Sequence, residues 1–465
     1  MNSMHYDVII IGAGLSGLAA GIRLSHYQKR VLILERHGLP GDLNSWFRRG
    51  GRQFDVGLHA VTNFAGPENR QAPLNKLLRQ LRFRREDLDL CEQGFSTVEF
   101  PGRTLRFSNE FADFEASIAA AFPMQIDGFR RLVDRIKATE SLSLQAVPVS
   151  ARAVLAGYLT DPILVDMILE PLMYYGSAEA DDIEFNQFCI MFQSLFLEGF
   201  WRPAAGVRPL LEMLVARYKE NGGELRMRCG VKSLRTDGDL VTAVELDNGE
   251  VLTASSVLSS AGAAETFRLC EPAPEQAASQ PLGALSYVES IFVLDCSPAS
   301  LGVLPTITFF NNHDHFDYRS PAGLVDYRSG VLCAPNNFKI PAEKQPEPCL
   351  RLTHLANYAA WDVLPAEAYA AAKQEVLKRQ LAFLETRAPG VSGHVVATDL
   401  FTPLTVTRFT GHLNGAIYGS PAKLRDGRTH CRNLFVCGTD QGFLGIIGSM
   451  LSGISITNAW LLRGE

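Results

Sequence analysis

Residues 7–17, DVIIIGAGLSG, decide the fold of this chain because they lead from an apolar strand through a glycine-rich turn into an apolar helix. This order places free backbone N–H groups at the helix N-terminus, where a Cβ on Gly12 or Gly14 would crowd an approaching pyrophosphate. A second apolar strand, residues 31–34, ends at Glu35. A carboxylate at this point of a βαβ unit accepts a ribose hydroxyl. The stretch therefore predicts a dinucleotide-binding site.

The length and the charge of the chain bound the class of protein and argue against one that binds nucleic acid. The chain has 465 residues and a formal net charge of -6, so it lacks the basic excess that binding to nucleic acid requires. The length predicts two or three domains.

We see no secretory signal and no run of about eighteen apolar residues that could cross a membrane. We expect a cytoplasmic protein, with peripheral contact on the inner face of a membrane left open.

The cysteines and the acidic residues do not predict a metal site. The nine cysteines are scattered and contain no CxxC pair, which is typical of reduced, packed thiols in a cytosolic protein. An acidic group has no histidine nearby and is expected to be a solvated turn; it comprises Glu179, Asp181, Asp182 and Glu184. We therefore expect no bound metal.

A helical region is predicted between residues 110 and 201, where apolar residues recur with a helical period. It contains an aromatic block made of Phe185, Phe188, Met191, Phe192, Leu195, Phe196, Phe200 and Trp201. An apolar stripe on a helix more often belongs to the hydrophobic core of the protein. The alternative is a tunnel or a membrane-facing entrance for an apolar substrate.

The rest of the chain alternates between helix and strand patterns. A helix is predicted over 209–221, then a strand running through Val231, and then a hairpin around Asn248 and Gly249. Strand patterns dominate 287–418 and are interrupted by a helix at 366–387, which predicts a sheet-containing second domain. At the end of the chain, a strand over 433–440, a glycine-rich loop over 441–448 and a helix over 449–462 repeat the order of the N-terminus.

Both ends of the chain resemble one flavoprotein family, which includes phytoene desaturases, carotenoid isomerases, retinol saturases and, more distantly, amine oxidases. The similar motifs are GAGLSGLAAGIRL (12–24) with Glu35 and Arg36, and NLFVCGTDQGFLGIIGSMLSGI (433–454). Residues 404–409 and 415–419 are similar to the segment that precedes the closing motif in the carotenoid and retinol branch.

The resemblance implies an α/β fold with a Rossmann-like FAD-binding domain of the glutathione reductase type. It also implies a discontinuous, mixed-sheet substrate domain and a helical insertion. We assign residues 1–105, 206–268 and 425–465 to the FAD-binding domain, 106–205 to a helical region that faces substrate or membrane, and 269–424 to the β-rich substrate domain.

FAD is the cofactor that the resemblance implies. The residues implied to bind it are Gly12, Gly14, Leu15, Ser16, Gly17, Glu35, Arg36, Ser45, Val231, Gly438, Asp440, Ile447 and Gly448. Of these, Val231 would contact the adenine side, Gly438 and Asp440 the pyrophosphate and ribityl chain, and Ile447 and Gly448 the isoalloxazine. The family usually has a second glycine after Gly41, where this chain has Asp42, and a carboxylate near phosphates is unfavourable unless it is paired or faces solvent.

The implied reaction is flavin chemistry on an apolar isoprenoid or polyene, by desaturation, saturation or double-bond isomerisation. His59 and Tyr418 are the candidate catalytic side chains, as a proton donor and as a phenol that orients substrate. An amine or amino-acid oxidase on the same scaffold is a second hypothesis, and a flavin-binding lipid carrier or scaffold without turnover is a third. We find no second dinucleotide motif, so the electron acceptor, whether oxygen, a quinone or another compound, is left open.

Overall fold

The structure is a computed structural model that describes residues 5–141 and 147–462. Its strands in chain order are β1 (His5–Ile11), β2 (Val31–Glu35), β3 (Trp46–Arg49), β4 (Arg52–Asp55), β5 (Leu90–Glu92), β6 (Ser96–Phe100), β7 (Arg103–Phe107), β8 (Trp201–Pro203), β9 (Glu224–Met227), β10 (Val231–Asp237), β11 (Leu240–Leu246), β12 (Val251–Ser259), β13 (Cys270–Glu271), β14 (Ser286–Leu294), β15 (Ile307–Asn311), β16 (Ser329–Cys333), β17 (Cys349–Ala356), β18 (Val395–Phe401) and β19 (Leu434–Val436). Its α-helices are α1 (Leu15–Ser25), α2 (Pro73–Leu81), α3 (Phe111–Ala121), α4 (Ile126–Ala138), α5 (Ala151–Ala156), α6 (Pro162–Gly176), α7 (Phe185–Phe192), α8 (Val207–Glu220), α9 (Ala263–Leu269), α10 (Gln276–Ser279), α11 (Tyr358–Asp362), α12 (Ala366–Arg387), α13 (Pro403–Thr410) and α14 (Gly445–Ile456).

The first sheet has a parallel core of Rossmann type. β1 pairs in parallel with β2 on one side and β12 on the other, and β9 and β19 extend the parallel part outward. The antiparallel strands β10 and β11 continue into β12. β1 is almost continuously apolar because helices cover one face of it and the antiparallel strands cover the other. The predicted α/β fold with a Rossmann-like domain is confirmed.

The second sheet is mixed and has the strand order β18-β14-β17-β16-β15-β6-β7. Its pairs are antiparallel except β15 with β6, which run in parallel. Two of its strands, β6 and β7, come from early in the chain, within and just beyond the range 1–105 that we assigned to the FAD-binding domain. The remaining strands follow residue 285, so this sheet is discontinuous in sequence.

The aromatic block of the helical region lies in a packed core. Each of its eight side chains is at most 5% exposed, and the rings of Phe114 and Phe196 stack with their centroids 4.2 Å apart. Phe107 of the second sheet packs edge-on against Phe196 and Phe200. The block therefore joins the helices to the sheet, and it does not form a membrane-facing surface.

Two sequence expectations differ from the structure in detail. The last helix begins at Gly445, not at residue 449, so the end of the glycine-rich segment forms its first turn. The acidic group is not a simple solvated turn, because Glu184 caps α7 and pairs with Arg425, while Asp181 pairs with Arg319. The Glu184 carboxylate accepts hydrogen bonds from the N–H groups of Asn186 and Gln187, which take the place of water.

All nine cysteines carry free thiols, and six of them are buried. Among residues 5–141 and 147–462, no helix combines the length and the apolar character that crossing a bilayer requires.

Candidate functional site

The main cavity of the protein lies at the carboxyl ends of β1 and β2, and its volume is about 1030 Å³. Ligands of open α/β sheets bind at this end of the strands. Its walls include the turn before α1, the end of β2, the loop over residues 39–49 and the turn after β19. The two ends of the chain therefore meet around one cavity.

Glycines allow the backbone to approach this cavity closely. Gly12 has a φ of 97°, which other residues rarely adopt, and Gly14 precedes α1 with no side chain capping the helix. A Cβ on Gly17 would overlap the carbonyl oxygen of Gly12, so this glycine permits helix-to-strand contact. Gly12, Gly14, Leu15 and Ser16 line the cavity, whereas Gly17 lies behind it. The uncapped N-terminus of α1 is suited to an anionic group.

Glu35 ends β2 with its carboxylate at the cavity wall. Its Oε2 accepts a hydrogen bond from the N–H of Ala13 at 2.8 Å, and its Oε1 accepts one from the N–H of His37 at 2.7 Å. Burial raises the pKa of Glu35, although both of these hydrogen bonds favour the charged form. The carboxylate therefore supports the turn and also faces the space where a ribose would lie.

Asp440 holds two loops against the cavity from the opposite side. It is 2% exposed, and its oxygens accept hydrogen bonds from the N–H of Ala263 at 2.6 Å and of Ser420 at 2.8 Å. Lys423 Nζ lies 3.7 Å from Asp440 Oδ1. Gly438, with a φ of 91°, packs beside Ser16. Asp440 thus shapes the cavity through the backbone that it binds.

Asp42 is paired inside the cavity wall. Its Oδ2 lies 3.3 Å from Nε2 of His412, whose Nδ1 lies 3.9 Å from Oε1 of Glu265. Burial alone would lower the pKa of His412, but the nearby carboxylates of Asp42 and Glu265 raise it to about 10. His412 is therefore an imidazolium at neutral pH. Asp42 also has a φ of 54°, which a glycine would adopt without strain and which aspartate tolerates.

The other residues implied by the resemblance divide into two groups. Arg36, Ser45 and Val231 line the cavity, and the Ser45 hydroxyl donates to the carbonyl of Pro40. Ile447 and Gly448 do not line it: Ile447 is buried in the apolar cluster beneath α14, and Gly448 contacts Phe443. The next residue, Ser449, reaches the cavity.

These features fit an FAD molecule. The cavity is large enough for an extended cofactor, and the glycine turn and the free N-terminus of α1 suit a pyrophosphate. The half-buried carboxylate of Glu35 at the end of β2 suits a ribose. When FAD is bound, its ring supplies the redox chemistry, while Glu35, Arg36 and the glycines around α1 would hold its ADP half.

His59 lies in a buried network of charges on the second sheet. Its Nε2 is 2.9 Å from Oε2 of Glu289, and Glu289 Oε1 accepts a hydrogen bond from Nε of Arg351 at 2.6 Å. Arg351 also donates to the carbonyls of Val56 and Leu58. Burial alone would raise the pKa of Glu289, but the charges of Arg351 and His59 lower it to about 2. The carboxylate is thus ionised and accepts a hydrogen bond from Nε2–H of His59, and Nδ1 of the ring takes no part in this contact.

Tyr418 lies in a cluster of tyrosines beside α6. Its hydroxyl donates to the carbonyl of Tyr174, and its ring meets that of Tyr287 edge-on at 6.2 Å. The hydroxyls of Tyr287 and Tyr318 are 2.7 Å apart. The neighbouring Tyr175 hydroxyl is buried and has no hydrogen-bond partner in the described part of the chain. Tyr418 is therefore anchored, whereas Tyr175 retains an unused hydroxyl.

Residues next to the His59 network and next to the tyrosine cluster lie close to the start of α14. Thr62, three residues after His59, approaches Gly445, and Gly176, next to Tyr175, approaches Leu444. This region carries the closing motif in which the flavin ring is expected. His59 and Tyr418 do not line the FAD cavity; the His59 network reaches it through Val56, which lines the cavity and accepts a hydrogen bond from Arg351.

Three residues of the site, Glu289, Arg351 and His412, were not predicted from the sequence. Glu289 and Arg351 each interrupt an apolar strand, β14 and β17, and a charge in a buried strand predicts a partner. That signal was present in the sequence. His412 had no comparable local signal, because its partners Asp42 and Glu265 are distant in the chain.

We expect the stabilising effect of His412 to decline in alkaline solution. Its pKa is near 6.5 when unfolded and about 10 when folded, so the effect is complete below pH 6.5 and is lost as pH rises towards 10. The difference in unfolding free energy between wild type and His412→Gln should fall by at most about 1.4 kcal/mol per pH unit in this window. Urea unfolding of both proteins from pH 6 to 10 measures it, with the exposed His5→Gln as control. A difference that stays constant with pH would contradict the assignment.

Comparisons with known proteins agree with this geometry. A family model described as "Flavin containing amine oxidoreductase" matches residues 15–455. The chain is 23% identical over 478 residues to a chloroplastic prolycopene isomerase of Arabidopsis thaliana, covering 95% of this chain and 76% of that protein. It is 26% identical over 461 residues to a 4,4'-diapolycopene oxygenase of a Methylomonas species, covering 90% and 89%.

The fold is also similar to a solved structure. The crystal structure of an oxidoreductase from Methanosarcina mazei superposes with a TM-score of 0.69 at 16% identity, covering 98% of this chain and 100% of that one. The match to the family model begins at residue 15, inside the first cofactor motif, and continues to the end of the closing motif. The chain therefore belongs to the flavin-containing amine oxidoreductase family, and it is an FAD-dependent oxidoreductase.

Proposed function

We propose that this protein uses FAD to desaturate, saturate or isomerise double bonds of an apolar, carotenoid-like isoprenoid. The proposal rests on relatives that are named as enzymes of carotenoids. Their sequences align with 90% or more of this chain. The similarity thus includes the second sheet and the helical region as well as the cofactor motifs. Similarity beyond the cofactor motifs bears on the substrate, because a shared fold alone does not specify a function.

The polar groups beside α14 support this choice of substrate. The tyrosine hydroxyls of Tyr287, Tyr318 and Tyr418 are bonded to one another or to backbone carbonyls, so they do not form an open aromatic cage for an amine. The Tyr175 hydroxyl, in contrast, is buried without a hydrogen-bond partner among the described residues. Few polar contacts are what a hydrocarbon substrate requires.

We expect the purified protein to carry oxidised FAD whose absorption changes when a carotenoid precursor is added without oxygen. Gly14→Val should remove the flavin, because the added side chain fills the cavity at the N-terminus of α1. Gly323→Val is the matched control, since a Cβ there meets nothing within 4 Å. Absorption spectra before and after denaturation measure flavin content in all three proteins.

The same experiment separates the alternatives. If amines reduce the flavin, and peroxide forms on exposure to air, the protein acts as an amine oxidase and the proposal is wrong. Flavin that responds to neither polyenes nor amines, in a protein that still binds a polyene, would favour the carrier without turnover.

His59 is proposed to exchange a proton with the substrate through Nδ1. Glu289 bonds to the opposite ring nitrogen at 2.9 Å and thereby orients the ring. We expect His59→Gln to keep the flavin and to lower turnover about 100-fold or more, a typical contribution of acid–base catalysis. Thr353→Val, which removes a hydroxyl 3.4 Å from the same ring, is the matched control. Equal turnover in the two variants would refute this role.

The substrate is proposed to reach the protein from the cytoplasmic face of a membrane. Support comes from exposed apolar side chains in the helical region, where Met124 is 90% and Val147 is 78% exposed, and from the nine free thiols, which suit a reducing compartment. Val147→Asp should weaken cosedimentation with anionic vesicles. Val363→Asp is the control. Val363 is similarly exposed, at 77%, but it follows α11 and lies outside the helical region. Equal cosedimentation of both variants would exclude contact through Val147.

A further inference from the structure

Three different metal-ligating side chains meet at one end of the second sheet, away from the FAD cavity. They are Asp295, Cys296 and His394, and one ligand atom from each lies within 4.8 Å of the other two. The first two directly follow β14, and His394 directly precedes β18. We propose that these side chains bind a single Zn²⁺ ion, with water completing its coordination.

The backbone holds the three ligands in place. β14 and β18 are paired up to Leu294 and Val395, and the N–H of Asp295 bonds to the carbonyl of His394 at 3.1 Å. A register shift between Val293 and Leu294 bends the strand just before the ligands, and bulges of this kind re-aim side chains. The site is thus built on a sheet end and not on a free loop.

The segments on the far side of each ligand are also fixed. Ser297 caps the short helical turn that follows Cys296. Glu385 accepts hydrogen bonds from the backbone of Gly390 and Ser392, in the turn that carries His394. Val391 anchors that turn in the apolar core. The ligands therefore need only side-chain rotation to close around an ion.

The distances suit a tetrahedral ion. Zinc bonds of about 2.0 to 2.3 Å place neighbouring ligand atoms about 3.4 to 3.6 Å apart. His394 Nδ1 and Asp295 Oδ1 are now 2.8 Å apart, in a hydrogen bond. They would separate by about 0.6 Å, and the sulfur would move inward, as the ion enters. Asp295 and His394 are half exposed, so these rotations meet little resistance.

The ligand set selects the class of metal. A thiolate, an imidazole and a carboxylate match Zn²⁺ and its analogue Co²⁺, whereas Mg²⁺ and Ca²⁺ prefer oxygen ligands alone. Binding releases the thiol proton of Cys296, because the thiolate is the ligand form. Three protein ligands leave one position for water. An ion here would tie the end of β14 to the start of β18, the strand whose Asp399 and Phe401 line the FAD cavity.

Zinc titration of the full-length, flavin-loaded protein tests the site after treatment with a chelator and a reductant. We expect one Zn²⁺ per chain by calorimetry, and Co²⁺ absorption bands of a tetrahedral thiolate site at wavelengths beyond those of the flavin. Cys296→Ser and His394→Ala should each weaken binding at least 10-fold. Cys229→Ser and His5→Ala, which alter a partly exposed cysteine and an exposed histidine elsewhere, should bind as the wild type does.

Either of two results would overturn the proposal: no stoichiometric binding of Zn²⁺ to the wild type, or unchanged affinity in Cys296→Ser and His394→Ala. If His394→Ala alone weakens binding, the ion is held without the thiolate and the proposed ligand set is wrong. Flavin content and turnover do not enter the readout, so the result is independent of the proposed reaction.

Discussion

Close contact between the first and last helices is the constraint on which the rest of this structure depends. A Cβ on Gly453 of α14 would overlap the carbonyl oxygen of Ser16 in α1, and a Cβ on Gly17 would overlap that of Gly12. The N–H of Gly438 donates to Ser452 Oγ at 2.6 Å, which ties the last strand to the last helix. These contacts bring two cofactor motifs from opposite ends of the chain to one cavity. The chain therefore has to return to the first sheet after each excursion into the helical region and the second sheet.

Pairing of buried charges then organises both sides of that cavity. His412 sits between Asp42 and Glu265 on the side of the ADP motif, while Glu289 sits between His59 and Arg351 beside the start of α14. An unpaired buried charge is costly, so each partner constrains the loop that carries the other. Removing one member would leave its neighbour uncompensated. The polar networks therefore fix loop positions that apolar packing alone would leave variable.

The sequence predicted most of the elements but not every role. Both cofactor motifs, the helix at 366–387 and the hairpin at residues 241–252 follow from local patterns of glycine and apolar residues. For the aromatic block from Phe185 to Trp201 the sequence favoured core but left a tunnel or a membrane-facing entrance open, because a helical stripe shows only that one face is apolar. Packing against Phe107 of the second sheet settles that it is core.

The sequence by itself determined the dinucleotide fold and its cofactor motifs, because a strand, a glycine turn and a helix interact over a few residues. Only the tertiary structure decided how Asp42 is accommodated, since its partner His412 lies 370 residues away. The same holds for the contact of His59 with Glu289 and for the meeting of Asp295 and Cys296 with His394. Each of these depends on the order and register of strands in a sheet. Strand order is a property of the whole chain, and local periodicity does not encode it.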